Sequence, residues 1–202
     1  MKNTLAVIAL CLLSGLSFGQ AKFGIKVAGN MSNIHMSPSF PGVELKAQYL
    51  PQGGLVFYSD LSKPLFIQSG LLFNQKGTSL TDGSDDIKLT YSFLELPVNV
   101  GFQIPISESF KIAPYVGGYA GYALMGKLKI AGMTFDLFDD ELTEESITTD
   151  ERLDYGANAG LGLHIGKRVI VSGQYSHGLK NLAEGDEKVQ TRTISAGLTF
   201  LF

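Results

Sequence analysis

From Lys22 onward the chain alternates apolar and polar residues with a period of two, in runs of strand length separated by turn and loop residues. The first run, Lys22 to Asn33, sets Phe23, Ile25 and Val27 against Gly24, Lys26, Ala28 and Asn30. A second runs from Gly53 to Ser59, and a third, Leu65 to Lys76, opposes Leu65, Ile67, Leu71 and Phe73 to Gln68, Gly70 and Asn74. The fourth, Lys88 to Gln103, is the clearest. There Leu94, Leu96, Val98, Val100 and Phe102 face one way, and Glu95, Pro97, Asn99, Gly101 and Gln103 the other. The fifth, Phe110 to Met125, is rich in Tyr and Gly, and its facing is ambiguous. The sixth, Leu153 to Ile165, sets Tyr155, Ala157, Ala159, Leu161, Leu163 and Ile165 against Asp154, Gly156, Asn158, Gly160, Gly162 and His164. In the seventh, Arg168 to His177, Val169, Val171 and Tyr175 oppose Ser172, Gln174 and Ser176. The last, Thr191 to Phe202, sets Ile194, Ala196, Leu198, Phe200 and Phe202 against Thr193, Ser195, Gly197 and Thr199.

The connections alternate in length. Segments 61–63, 105–109 and 166–167 read as tight turns, and 34–52, 77–87, 126–152 and 179–190 as long polar loops. Of the 19 acidic residues, 15 fall in those four long segments, and of the rest only Glu95 and Asp154 sit inside the strands just traced, so ions are kept away from the apolar faces. Short turns at one end and long loops at the other, with strands apolar on one face, are the marks of an outer-membrane barrel. Backbone groups inside a bilayer have no water to pair with, so a sheet can cross only when closed. The pattern therefore predicts an all-β, up-and-down antiparallel transmembrane β-barrel of about eight strands, with lipid-facing apolar side chains and a lumen just wide enough to be filled by side chains.

Composition narrows the alternatives. Hydrophobic residues make up 45% of the chain, yet after residue 20 no run is long enough for a membrane helix, which needs roughly 20 apolar residues. Before that point, Lys2, the apolar run Leu5 to Leu13 and the small residues around Ser17-Phe18-Gly19 read as a cleaved signal peptide, residues 1–19, leaving 20–202 as the barrel domain. The one cysteine, Cys11, lies in that run, so the mature part is expected to hold no thiol chemistry or disulfide. A net charge of −3, with no basic stripe evident along the sequence, argues against nucleic acid as a partner.

Several segments resemble the PorT-type outer-membrane β-barrel proteins. The run Tyr91-Ser92-Phe93-Leu94-Glu95-Leu96-Pro97-Val98 looks like that family's aromatic, apolar, Glu, apolar, Pro strand, and Phe23 through Ser32 is similar to its first strand. Asn74-Gln75-Lys76-Gly77, Asp154-Tyr155-Gly156 with Gly160 and Gly162, and the terminal Phe202 are similar too. The resemblance implies an outer-membrane barrel in a Gram-negative cell envelope. It also implies that Phe202 is part of the signal read by the barrel-insertion machinery. The family's namesake serves protein secretion, so an accessory secretion barrel is one alternative, and a small-solute porin another. Tryptophan is absent, and the aromatic belts are expected from Tyr58, Tyr91, Tyr122, Tyr155 and Tyr175.

Inward-facing polar residues are the candidate site. Glu95 and Lys26 are expected to pair within a lumen network that includes Gln68, Asn99, Asn158 and Gln174, because an unpaired buried charge is costly. Phe135, Leu137 and Phe138 stand out as apolar residues within the acidic segment 126–152, and are expected to fold onto the barrel mouth or meet an extracellular or envelope protein partner. The three histidines, His35, His164 and His177, are scattered, and no ligand spacing suggests a metal. The chain therefore reads as a non-enzymatic barrel embedded in outer-membrane lipid, without catalytic residues, metal or cofactor. A soluble lipocalin-like barrel is the remaining alternative, and it would carry its apolar residues inside.

Overall fold

The computed structural model describes residues 21–37, 45–82, 85–130, 132–138, 152–181 and 188–202. The expected signal peptide, 1–19, lies outside the described residues, as does 139–151 of the acidic segment. The described chain is strand throughout: β1 (Lys22–Ser37), β2 (Leu45–Ser62), β3 (Leu65–Asp82), β4 (Asp85–Phe102), β5 (Ile104–Pro105), β6 (Phe110–Ile130), β7 (Met133–Asp136), β8 (Leu153–Ile165), β9 (Val169–Gly178) and β10 (Lys188–Leu201). Each long strand pairs antiparallel with its chain neighbour, β4 pairs with β6, and β10 returns to β1 over Gly24↔Leu201 to Ser37↔Lys188. The eight long strands thus form a closed ring, while the short β5 and β7 lie against β6 at its two ends.

Closure satisfies the ladder, and alternation decides what faces lipid. Phe23, Ile25, Val27, Leu55, Leu71, Leu94, Val98, Val100, Val116, Leu161, Ile194 and Leu198 all point outward and are exposed. A band of that extent far exceeds the apolar patches tolerated on a soluble monomer. The inner face instead carries Lys26, Asn30, Ser32, Asn74, Lys76, Glu95, Asn99, Asp154, Asn158, Thr193 and Ser195, all buried. This inversion removes the lipocalin-like alternative, whose apolar residues would line the interior.

Turn chemistry agrees with the tight end. Between β8 and β9, Gly166 holds φ at 63°, a left-handed conformation that glycine adopts at little cost.

Two expectations need correction. The segments read as loops at 34–52 and 77–87 are mostly strand: β1 continues to Ser37, β2 starts at Leu45, β3 reaches Asp82 and β4 starts at Asp85. Likewise β6 runs on to Ile130 and folds back through β7. The reason is physical. Above the bilayer a ladder needs no apolar face, so an apolar alternation ends while the hydrogen bonding goes on. At 18, 18 and 21 residues, β3, β4 and β6 exceed the 9–11 or so that cross a membrane. They raise a collar on that side, whereas β9 has 10 residues.

The second correction concerns the aromatic belt. Tyr122, Tyr155 and Tyr175 do face outward, but Tyr58 is buried in the lumen, and Tyr91 turns toward the mouth beside Phe93. Phe57 takes the outward place next to Tyr58 and meets Phe23, with ring centroids 5.6 Å apart. The outward tyrosines ring the loop end, while Phe23, Phe102, Phe110, Phe200 and Phe202 ring the tight-turn end, giving two girdles of different chemistry.

A β-bulge changes which residues of β6 face the lumen. Ser92 pairs with Met125 but Phe93 with Ala123, so Leu124 is the extra residue. Below it Tyr115, Tyr119 and Ala123 point inward; above it Gly126 is buried, and Lys127 and Lys129 point out.

Candidate functional site

The lumen concentrates the only ion pairs among the described residues. Lys76 on β3 reaches Glu95 Oε2 on β4 at 2.9 Å and Asp154 Oδ2 on β8 at 3.1 Å, and all three side chains are 1% exposed. Register explains why the two carboxylates lie at one height: Glu95 and Asp154 both pair with Gly121, from its two sides. Lys76 bridges them, with its Nζ 3.8 Å from the centroid of the Tyr119 ring. Such a cation over an aromatic face gains further when desolvated.

Neutral groups complete the shell. Asn74 Nδ2 donates to Glu95 Oε2 at 2.9 Å, Asn30 Nδ2 donates to Asn74 Oδ1 at 2.5 Å, and Ser195 Oγ donates to Asn30 Oδ1 at 2.8 Å. Tyr119 OH donates to Asp154 Oδ2 at 3.2 Å. A chain of polar contacts therefore crosses the lumen from β10 through β1, β3 and β4 to β8. Just above it, Thr193 Oγ1 donates to Ser32 Oγ at 3.1 Å, and Ser32 Oγ accepts from the Gly77 N–H at 3.2 Å.

Of the residues singled out in the sequence, all six polar ones face the lumen, but they do not form one network. Asn158 Nδ2 donates to Asn99 Oδ1 at 3.4 Å; Gln174 accepts from Tyr115 OH at 3.1 Å and donates to Ser176 Oγ at 3.0 Å; Gln68 lies lower, beside Ser172 and His164. Lys26 is buried and feels the charge of Glu95, but the ion-pair partner of Glu95 is Lys76. The expected Lys26–Glu95 pair is thus corrected. Alternation gives the face of a side chain, whereas pairing depends on its height and reach. With Lys26 and Lys76 against Glu95 and Asp154, the buried charges balance among the described residues. Lys76 and Asp154 lie outside the set expected from the sequence, although both share the inward parity of its members.

Below this layer the filling is apolar. Val56, Tyr58, Phe66, Leu72, Ala113, Tyr115, Ile170 and Leu201 form one buried cluster. Tyr58 stacks on Phe66 with centroids 4.8 Å apart, and His164 meets the Tyr58 ring edge-on at 5.3 Å. Tyr115 and Tyr119 fit because β8 offers glycine opposite each of them: Tyr115 pairs with Gly160 and Tyr119 with Gly156. A Cβ at Gly160 would come within 2.4 Å of the Tyr115 ring, so ring and glycine are one packing unit. The cavity left among Phe66, Gln68, Tyr115, His164 and Ile170 is about 10 Å³, near the minimum for a single water.

At the mouth, Phe138 stands 6.3 Å from Tyr91 and lies under the Arg152 guanidinium, 4.4 Å from the ring centroid. Leu137 N–H donates to Gly126 O at 2.7 Å, and both Leu137 and Phe138 are half-buried. Phe135, on β7, is exposed. At the opposite end Phe202 is exposed, with its ring 5.8 Å from Phe200. His164 and His177 lie apart, His177 beside the outward Tyr175. His35 lies on β1, at the loop end.

A family model described as outer membrane protein beta-barrel domain matches residues 13–184. Among solved structures the chain is similar to Neisserial surface protein A, NspA, at 13% identity and TM-score 0.50 over 91% of this chain and 99% of that one. It is also similar to Ail, the attachment invasion locus protein of Yersinia pestis, at 13% identity and TM-score 0.45 over 91% and 99%. A third is OprG from Pseudomonas aeruginosa, at 12% identity and TM-score 0.44 over 90% and 94%. No curated protein matches the chain.

Proposed function

Because the chain belongs to the outer membrane protein beta-barrel domain family and so sits in the outer membrane, we propose that it is a plugged, non-enzymatic barrel whose function lies in its outer collar and acidic loop. The observation that carries this reading is the Lys76 bridge between Glu95 and Asp154, which fills the lumen at the height where a pore would need water. The apolar cluster below it adds a second stopper. An eight-strand barrel is at the size where side chains suffice to fill the interior, and the small cavity beside Phe66 accords with that.

The collar supports the other half of the reading. Strands that continue beyond the bilayer carry no load in spanning it, and the β6–β7 ladder displays Phe135 and the half-buried Leu137 and Phe138 over the mouth. These three residues and the acidic segment around them are the proposed contact surface for an extracellular or envelope protein. The resemblance of Tyr91 to Val98 supports a PorT-type member, and Phe202, outward at the tight-turn end, suits a residue read by insertion machinery. Planar-bilayer recording tests the plug: the purified full chain is expected to give no steady conductance. Stable openings in the intact protein would replace the proposal with the small-solute porin.

A further inference from the structure

We infer that the collar carries a lysine row that binds the phosphate groups of anionic lipid in the outer leaflet. The row follows from register. Lys46 on β2 pairs with Ser79 on β3, Ser79 with Lys88 on β4, and Lys88 with Lys129 on β6, so three lysines lie along one line across four strands. Lys127 is two residues below Lys129 on the same outward face, a facing set by the β-bulge at Leu124. All four lysines are exposed.

The facing of Lys88 and Lys129 is unfavourable unless something anionic joins them. Lys88 and Lys129 are directly opposite each other across an antiparallel ladder, where like charges repel. Asp136 is the register partner of Lys127, but no ion pair among the described residues involves Lys88, Lys127 or Lys129.

Position selects lipid as the source of the anion. The outward row Phe73, Leu94, Tyr122 and Leu153 is continuous across β3, β4, β6 and β8 and exposed to the hydrocarbon. Met125, also exposed, is only two residues below Lys127. At about 3.3 Å per residue and a tilt near 40°, Lys127 stands roughly 5 Å above Met125, and Lys129 roughly 10 Å. That is the headgroup zone, where lysine stems lie along apolar surface and their ammonium groups reach for phosphate. A soluble anion would have no reason to meet charges arranged along the rim of the lipid-facing band.

The test uses the full chain, folded in detergent, titrated with diphosphorylated lipid A, with the same lipid stripped of phosphate, and with inorganic phosphate as competitor. Wild type is expected to prefer the phosphorylated lipid. K88Q/K129Q should weaken that binding at least about fivefold, from the attraction a lysine feels near an anionic surface, while K88R/K129R retains it. Heat-modified gel migration of each variant shows that the barrel is folded. Equal binding by K88Q/K129Q, or equal binding of the stripped lipid, overturns the inference. Full displacement by inorganic phosphate overturns the assignment to lipid.

Discussion

The two halves of the lumen are filled by opposite means. Towards the tight turns, Tyr58, Phe66, Ala113, Tyr115, Ile170 and Leu201 pack as an apolar cluster; towards the loops, Lys76, Glu95 and Asp154 hold each other among Asn30, Asn74 and Tyr119. Dispersion and exclusion of water are forgiving, because a lost methyl group leaves its neighbours intact. A buried ion network is not forgiving where its members share one partner, since removing Lys76 leaves Glu95 and Asp154 charged without their bridge. The same wall therefore has one end that should degrade gradually and another that should fail at once.

Lys76→Met should do the greatest damage. It strands Glu95 and Asp154 at one height without their bridge, and loss of one partner from a buried pair costs about 3–5 kcal/mol. The temperature at which the folded gel band converts to the unfolded one should fall accordingly. Neutralising all four buried charges together, with Lys26→Met, Lys76→Met, Glu95→Gln and Asp154→Asn, should recover much of that loss, because a neutral lumen has no charge to strand. A quadruple variant weaker than Lys76→Met would mean that the charges contribute net attraction beyond mutual compensation.

Phe66→Ala probes the other half. It removes the ring stacked on Tyr58, at a cost of about 3 kcal/mol, the low end for opening a cavity of that size, since the Tyr58 and His164 rings can partly close the gap. No second substitution of charge should rescue it, which separates the two halves experimentally. Glu95→Gln comes next, at about 2 kcal/mol, the scale of a charge-assisted hydrogen bond. Lys76 keeps Asp154, so urea titration of the gel shift should place this variant well above Lys76→Met.

Much of this is legible in the sequence. Alternation alone puts Lys26, Glu95, Asn99, Asn158 and Gln174 inside, and Phe23, Leu94, Val98 and Leu161 outside, because a strand's two faces are fixed by parity. What alternation lacks is height. Lys76 closes the strand expected from the sequence, which in fact continues to Asp82, through Gly77 and Ser79 at the outward positions, which need no apolar partner above the membrane. Its reach to Asp154 spans β3 to β8 and depends on the cross-strand register of the ring. The facing of β6 was ambiguous for a related reason: the bulge at Leu124 reverses parity within one continuous run. The inward place of Tyr58, by contrast, follows from the outward parity of Leu55 and Phe57, which outweighs the preference of tyrosine for a membrane interface.

The smallest effect is expected where the two halves meet. Tyr115 lies over Gly160 and gives its hydroxyl to Gln174 Oε1 at 3.1 Å, so one side chain joins the apolar cluster to the polar wall. Tyr115→Phe keeps the ring on its glycine and removes only the donor. Gln174 retains its bond to Ser176, so a single acceptor is left short, and the cost should be about 1 kcal/mol. Denaturant titration followed by gel shift resolves a difference of that order when both proteins are run together. A loss as large as that of Phe66→Ala would mean that the hydroxyl governs the ring's position over Gly160, and that the polar half, not the apolar one, sets the packing at the boundary.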